Sequence, residues 1–234
     1  MLCSTAKRRA SYYVAMANWV VISSLATASG TLVLAGATFA SVRSGNRSAR
    51  IAEESLLAGM RPLLMPSRSE DAPLKITFVD SHYVVTPGGS ATAEIADDVV
   101  YFTISLRNVG SGIAVLDGWH FEIVDDPSHF TRPSLDQFRR LGRDLYVAAG
   151  DVSFWQCAYR DPSEPEFVRL RDLVQARQRL AVDLLYGEQL GGQRMISRFL
   201  LIPRGDGGWM ATVGRHWNVD RPDPREVRSR TTGR

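Results

Sequence analysis

The histidines are the side chains of this chain most suited to chemistry, because imidazole can ligate metals and exchange protons near neutral pH. There are four, none paired with another ligand type at the spacing of a zinc site: His82, His120, His129 and His216. His120 and His216 each stand beside a tryptophan. If both tryptophans point inward, strand alternation places both histidines on the outer face. Such a pair would make a metal or acid–base site, whereas separate surface positions are the expected outcome.

Two pairs of adjacent aspartates offer oxygen ligands of the kind that calcium binds. Asp97 and Asp98 form one pair, and Asp125 and Asp126 form the other, each beside turn residues at the edge of a predicted strand. A calcium site needs several oxygens that converge from separate loops. Because the spacing shows no such set, solvated turn carboxylates are the expected role.

The remaining candidates for chemistry have simpler structural explanations. The element Gly110-Ser111-Gly112 lacks the third glycine and the following helix of a dinucleotide loop, so a turn is expected. No serine stands in a Gly-x-Ser-x-Gly turn, and Cys157 lies in an apolar run that favours a buried thiol. We therefore assign no catalytic, cofactor-binding or metal-binding residue from the sequence, and no cofactor.

A long apolar segment precedes all of these candidates. No formal charge occurs between Arg9 and Arg43, and about 20 apolar residues already cross the roughly 30 Å hydrocarbon core of a bilayer. We predict one transmembrane helix over residues 19–41, with Trp19 at a membrane interface. The expected location is the cell membrane, in a single pass, with lipid around the helix.

A cleaved signal peptide is the alternative explanation of the same segment. Its charged start would be residues 7–9, and its cleavage site would be the small residues 35–37. The uncharged run is much longer than the roughly 7 to 15 residues of a signal-peptide core, which favours an anchor. Basic residues flank both ends of the segment, so the charge difference that sets orientation is small, and a cytoplasmic soluble domain is only weakly favoured.

The charge distribution argues against one class of partner, and the cysteine positions argue against a disulfide. The formal net charge is +3, and the tail over residues 221–234 alone contains five arginines against one aspartate and one glutamate. The rest of the chain is therefore electroneutral, which argues against a nucleic-acid partner. The two cysteines, Cys3 and Cys157, stand on opposite sides of the apolar segment, so an intramolecular disulfide is not expected.

Composition divides the chain into five parts. A short basic segment, residues 1–18, precedes the transmembrane helix over 19–41. Residues 42–70 combine a juxtamembrane helix with a linker rich in serine, proline and charge. A β-sandwich-like soluble domain is predicted over residues 71–220, and a basic disordered tail over 221–234.

Alternation of apolar and polar residues with a period of two predicts antiparallel strands through the soluble domain. The pattern is cleanest in the segment 100–106 and also marks 74–78 and 115–123. Three later strands, 180–186, 195–202 and 209–217, are predicted to form a meander. Two capping-box patterns, Ser134 with Gln137 and Ser163 with Glu166, predict short helices. The predicted fold class is thus an N-terminal transmembrane helix plus a mainly antiparallel β domain, sandwich-like, with two short helical insertions.

Several phrases of the sequence resemble uncharacterised bacterial proteins that have one N-terminal transmembrane helix and a β-sandwich-like domain. The phrases are Arg61-Pro62-Leu63-Leu64, the run Leu106-Arg107-Asn108-Val109-Gly110-Ser111-Gly112-Ile113-Ala114, and residues 143–147, 185–187 and 191–194. The resemblance covers most of the chain. It implies the same architecture but no activity or site residue, because that group has no established function.

Two classes of function remain open. The first is a membrane-tethered interaction or structural module that does no chemistry and meets a protein partner, or a second copy, near the bilayer. The second is a hydrolase or metal-dependent enzyme whose site is assembled from distant loops. The first is favoured, because a neutral domain behind an anchor suits partner binding. The positions of His120 and His216 distinguish the two classes. If these histidines belong to an enzyme site, they should lie within about 4 to 5 Å of each other or of a carboxylate.

Overall fold

The computed structural model describes residues 3–123 and 131–221. The aspartates 125 and 126, His129 and the predicted tail from residue 222 onward lie outside the described residues. By compactness the chain divides into two units, Met1–Ser55 and Leu56–Arg234.

Helix α1, Cys3–Gly59, is long because this stretch contains no proline and is rich in alanine, which favours helix. Gly59 ends the helix, and Pro62 prevents its continuation. The part Ser23–Leu56 is long and apolar enough to cross a membrane. Hydroxyl groups within it donate to carbonyl oxygens three or four residues earlier, at Thr27, Ser29, Thr31 and Thr38.

The described residues beyond α1 form eleven strands and a second helix. The strands are β1 Leu64–Pro66, β2 Leu74–Thr77, β3 Tyr83–Thr86, β4 Ser90–Ala96, β5 Val99–Asn108, β6 Ala114–Ile123, β7 Arg139–Val147, β8 Val152–Tyr159, β9 Leu180–Glu188, β10 Met195–Pro203 and β11 Trp209–Asn218. Helix α2 is Pro165–Gln175, and a single 3-10 turn occupies Leu135–Gln137.

Nine of the strands form one antiparallel sheet that curls into a half-barrel. Its neighbours run in the order β1-β5-β4-β11-β10-β9-β6-β7, and β8 pairs with the other side of β5. Strands β2 and β3 make a separate two-stranded sheet. The predicted fold class, an apolar N-terminal helix followed by a mainly antiparallel β domain, is confirmed.

The main hydrophobic core lies on the inner face of the curl, and we call the opposite side of the sheet its outer face. The largest inner side chains are fully buried and include Phe102, Trp155, Tyr186 and Phe199. Helix α2 adds its apolar stripe to the same core, with Phe167, Leu170, Leu173 and Val174. The core therefore packs α2 against the inner face of the nine-stranded sheet.

Strand β5 is more deeply placed than its alternating pattern predicts. Ile104 faces the main core and is 0% exposed, but Thr103 on the opposite face is also 0% exposed. The Thr103 hydroxyl is hydrogen-bonded to that of Thr86 on β3. Both faces of β5 are therefore covered, because the β2–β3 sheet packs on the face opposite the main core with Ile76 and its neighbours.

The two helical insertions differ in detail from their capping patterns. After Ser134, whose backbone N–H donates to the Gln137 side chain at 2.9 Å, the helix lasts only one 3-10 turn before β7 begins. In α2 the N-cap is Glu164 rather than Ser163, because Pro165 occupies the first turn and fixes φ there. The Ser163 hydroxyl instead donates to Asp161 at 2.6 Å.

Candidate functional site

A row of polar side chains crosses four neighbouring strands on the outer face of the half-barrel. His120 on β6 lies opposite Asp183 on β9, Asp183 lies opposite Arg198 on β10, and Arg198 lies opposite Arg215 on β11. Directly opposed residues of antiparallel strands have Cβ atoms only about 4.5 to 5.5 Å apart. The sheet register itself therefore assembles this row.

A buried ion pair forms the centre of the row. The Arg198 guanidinium donates to both Asp183 oxygens, at 2.8 Å from Nε to Oδ1 and 2.7 Å from Nη2 to Oδ2. The Asp183 side chain is 0% exposed and that of Arg198 is 1% exposed. Arg198 also donates to Glu122, and its guanidinium carbon lies 5.2 Å from the centre of the Trp217 ring. The pair is therefore bidentate, desolvated and covered by an aromatic ring.

Burial and pairing act in opposite directions on these two groups. Burial raises the pKa of Asp183, although the hydrogen bonds and charge of Arg198 oppose that rise. Burial would lower the pKa of Arg198, but its hydrogen bonds to Asp183 and the charge of both carboxylates outweigh burial and raise that pKa. Each charge is therefore tolerated in the sheet only because the other is present.

A cavity of about 400 Å³ opens beside this row. Its walls are polar for the most part and are formed by His120, Phe121, Glu122, Thr131, Arg132, Pro133, Gln137 and Arg169. Arg132 and Arg169 are exposed. Within residues 3–123 and 131–221, neither has an ion pair or side-chain hydrogen bond. We call this space the outer-face cavity.

A second polar network lies on the inner face, around His216. The His216 Nδ1 atom is 2.6 Å from the Ser197 hydroxyl oxygen, which is 2.8 Å from the Tyr186 hydroxyl oxygen. The Tyr186 hydroxyl also accepts a hydrogen bond from the Leu64 backbone N–H at 3.2 Å. A Ser–His contact is typical of an activated nucleophile, but Ser197 is 0% exposed and already shared with Tyr186. The network is therefore structural.

The two histidines that the sequence singles out do not form a site together. His120 faces the outer cavity, whereas His216 shares the inner face with Ser197. The expectation that both lie on the outer face is wrong. In β11 the register shifts at Gly214, which is left unpaired between Val213 and Arg215, and this bulge reverses the alternation of the residues that follow. Trp217 consequently lies on the outer face.

His82 occupies a third polar cluster, under the β2–β3 sheet. Its Nε2 atom is 2.6 Å from the Glu94 carboxylate, and its ring stacks on Tyr101 at 4.1 Å. The Tyr101 hydroxyl donates to Asp80 at 2.8 Å, and Arg160 pairs with the same carboxylate at 2.9 Å. Burial, reinforced by the bond to Asp80, raises the pKa of Tyr101 to about 12. These contacts fix the short sheet onto β5 and β8.

The other candidates prove to be structural elements. Asp97 and Asp98 are themselves the turn between β4 and β5, with φ values of 49° and 59°, as a type I′ hairpin requires. In the β5–β6 connection, a Cβ at Gly112 would lie 1.6 Å from the Met60 carbonyl oxygen, so only glycine fits there. Cys157 is buried, as predicted, and burial raises the pKa of its thiol.

Sequence reasoning missed the Arg198–Asp183 pair, although a signal for it exists. Arg198 is the lone charge of β10, and Asp183 is the lone charge of the apolar run over residues 180–186 of β9. The two strands are joined by a short turn over residues 189–194. Pairing Tyr186 with Met195 across that turn brings Asp183 opposite Arg198. Opposite charges at positions related by hairpin register therefore predict the contact.

Comparison with known proteins does not assign this chain to a family. No family model matches the chain, and no curated protein matches it. A solved protein from Archaeoglobus fulgidus is similar over 57% of this chain and 94% of its own, at 10% identity and a TM-score of 0.21. A β-glucosidase from Kluyveromyces marxianus is similar over 58% of this chain, which spans 15% of that enzyme, at 10% identity and a TM-score of 0.22. At such scores neither likeness bears on fold or function.

Proposed function

We propose that this protein is a membrane-tethered interaction module that does no chemistry. The observation that carries the proposal is the surface of α1. In Ser23–Leu56 the most apolar window is 0% buried, and Leu32 and Val33 are 75% and 72% exposed. Apolar surface left in water costs about 25 cal/mol per Å², and a bilayer removes that cost.

The polar groups of α1 support the same placement. In a hydrocarbon environment each hydroxyl and backbone group needs a partner inside the protein. The hydroxyls of Thr27, Thr31 and Thr38 have theirs in the preceding helical turn. A serine- and threonine-rich helix of this kind is therefore compatible with lipid on all sides.

The proposed partner is a protein, or a second copy of this chain, met near the bilayer. Ala26 and Gly30, then Gly36 and Ala40, have the small-xxx-small spacing that lets two membrane helices approach closely. We place the β domain in the cytoplasm. Protease protection in sealed inverted vesicles tests this orientation, since digestion of the domain from outside supports it and protection contradicts it.

A pair of charge insertions tests the tether. Leu32→Arg places a charge near the middle of the predicted span 19–41, at a cost of roughly 2.5 to 3.5 kcal/mol for insertion. Leu56→Arg places the same charge outside it, although both leucines are highly exposed, at 75% and 63%. We expect only Leu32→Arg to move the chain from the membrane fraction to the soluble fraction. Equal behaviour of the two variants would contradict the proposed span.

The non-catalytic part of the proposal has its own test. Among the described residues, no group of three or more histidine, cysteine, aspartate or glutamate side chains is placed to hold a metal. The purified protein is dialysed against zinc or calcium and its metal content is measured. Tight stoichiometric metal that is lost in His120→Ala or His216→Ala would overturn the proposal in favour of a metal-dependent enzyme.

A further inference from the structure

The outer-face cavity has the composition of an anion site. Two exposed guanidinium groups, from Arg132 and Arg169, line it together with the His120 imidazole and the Gln137 amide. We infer that this cavity binds the phosphate group of a small molecule. The inference concerns the β domain alone and does not depend on whether α1 enters a membrane.

Within the described part of the chain, the charges around the cavity leave an excess of positive charge. Glu122 lines the cavity, and both Glu122 and Asp183 of the neighbouring polar row are bonded by Arg198, with Arg215 the next member of the row. Together these groups amount to two carboxylates and two guanidinium groups. At the cavity rim, the described residues provide no carboxylate partner for Arg132 or Arg169. Among the described residues, the rim arginines are thus the unbalanced charges.

One further carboxylate lies within range of Arg132. The pKa of Asp220 is lowered chiefly by its hydrogen bond from Arg194 and, in smaller part, by the charge of Arg132. The Arg194 guanidinium is 2.7 Å from Asp220, so this carboxylate already has its own cation. Asp220 therefore does not neutralise Arg132.

Hydrogen-bond donors also exceed acceptors around the cavity. The Gln137 Oε1 atom accepts from the backbone N–H and the hydroxyl of Ser134, at 2.9 and 3.1 Å. Its amide nitrogen is left to donate. Each guanidinium presents a planar fork that matches two oxygens of an oxyanion.

The donor count favours phosphate over carboxylate. A carboxylate offers two oxygens, whereas a phosphate monoester offers three strong acceptor oxygens and nearly two negative charges at neutral pH. Two arginine forks, an amide N–H and an imidazole N–H suit the larger acceptor. A volume of about 400 Å³ also leaves room for the organic part of a small ester.

Titration calorimetry of the full chain in detergent with inorganic phosphate, at low ionic strength and neutral pH, tests the inference. We expect saturable binding that weakens by at least about tenfold in Arg132→Gln and in Arg169→Gln, because each variant removes charged hydrogen bonds. Arg171→Gln is the matched control. It lies on α2 like Arg169, has a side chain that is 39% exposed, and pairs with Asp172 at 3.0 Å, so its removal should leave binding unchanged.

Two competitors identify the ligand chemistry and its source. Acetate should compete far less well than phosphate, and equal competition would overturn the assignment to phosphate. Short-chain phosphatidic acid carries the same group on a lipid. Tighter binding of it than of inorganic phosphate, lost in the same two variants, would locate the source in membrane headgroups, and weaker binding would locate it in soluble esters.

Two outcomes would overturn the inference outright. One is the absence of saturable phosphate binding by a wild-type chain with an intact circular dichroism spectrum. The other is equal binding by Arg132→Gln, Arg169→Gln and Arg171→Gln, which would mean that phosphate meets surface charge in general. Membrane retention of these variants should equal that of the wild type, so failure here is distinguishable from failure of the tether.

Discussion

Neighbouring residues of strand β10 support two different polar networks. Arg198 points to the outer face, where it forms a fully charged pair with Asp183. Ser197 points to the inner face, where it joins the neutral hydroxyl of Tyr186 to His216. A polar group is thus accommodated inside this sheet by the partner that the register places opposite it, whether the group is charged or neutral. Removing a partner should cost more on the charged side.

Removal of one partner of the charged pair should have the largest effect. Asp183→Ala leaves the buried Arg198 guanidinium without its bidentate carboxylate, and we expect a loss of about 3 to 5 kcal/mol in the free energy of unfolding. Urea unfolding of the full chain in detergent, followed by circular dichroism, measures it. The double variant Asp183→Leu with Arg198→Met should recover most of the loss. A single variant that costs less than about 1 kcal/mol would show that the pair is not desolvated.

Removing a partner from the inner-face network should lower the free energy of unfolding by less. Ser197→Ala removes the hydroxyl between Tyr186 and His216 without stranding a charge, so we expect a loss of about 1 to 3 kcal/mol by the same measurement. The ranking of the two variants matters more than either value. If Ser197→Ala proves as costly as Asp183→Ala, charge does not explain the difference between the faces.

Two buried tryptophans sharpen the comparison, because one has a partner and the other has none. The Trp209 Nε1 atom donates to the Ala93 carbonyl oxygen at 3.1 Å, whereas the buried Trp155 Nε1 atom has no partner within the described chain. Trp209→Phe should therefore cost about 1 kcal/mol more than Trp155→Phe in thermal unfolding, beyond the similar loss of ring volume. An equal cost would mean that the indole hydrogen bond contributes nothing.

The smallest effect is expected at the partly exposed cluster that fixes the β2–β3 sheet. Burial pushes the pKa of Asp80 up, but the hydrogen bonds from Tyr101 and Arg160 outweigh it, and the pKa is lowered. A lowered folded-state pKa gives stability that is present above the unfolded value of about 3.9 and is lost as the pH falls through the folded value. Asp80→Asn should remove that part of the acid dependence, less than about 1 kcal/mol. An unchanged pH profile of unfolding would contradict it.

The strands that the sequence predicts correctly are those with one dominant pattern. Alternation in β6 and continuous apolar runs in β9 and β10 identify these strands, since their inner residues must all enter one core. Strand β7, Arg139–Val147, shows no such pattern, because it is an edge strand whose side chains are mostly exposed. The sequence therefore predicts central strands better than edges.

The outer-face cavity was beyond sequence reasoning for a different reason. Its arginines come from the segment before the 3-10 turn and from α2, and its histidine comes from β6. No local spacing links Arg132, Arg169 and His120. The sequence also does not predict the effect of the bulge at Gly214. A single glycine in a strand can indicate a bulge, but it does not determine which face of the sheet the residues after it occupy. Both features depend on tertiary register.

Alkaline carbonate extraction of membranes, with the intact mass of the pelleted chain, tests the tether most directly. The account predicts a full-length chain of 25.9 kDa that stays in the pellet, because an apolar helix is held by the hydrophobic effect and not by charge. Release of the full-length chain into the supernatant would contradict the tether. A soluble, shortened chain whose first residue lies near Thr38 would contradict it in favour of a cleaved signal peptide.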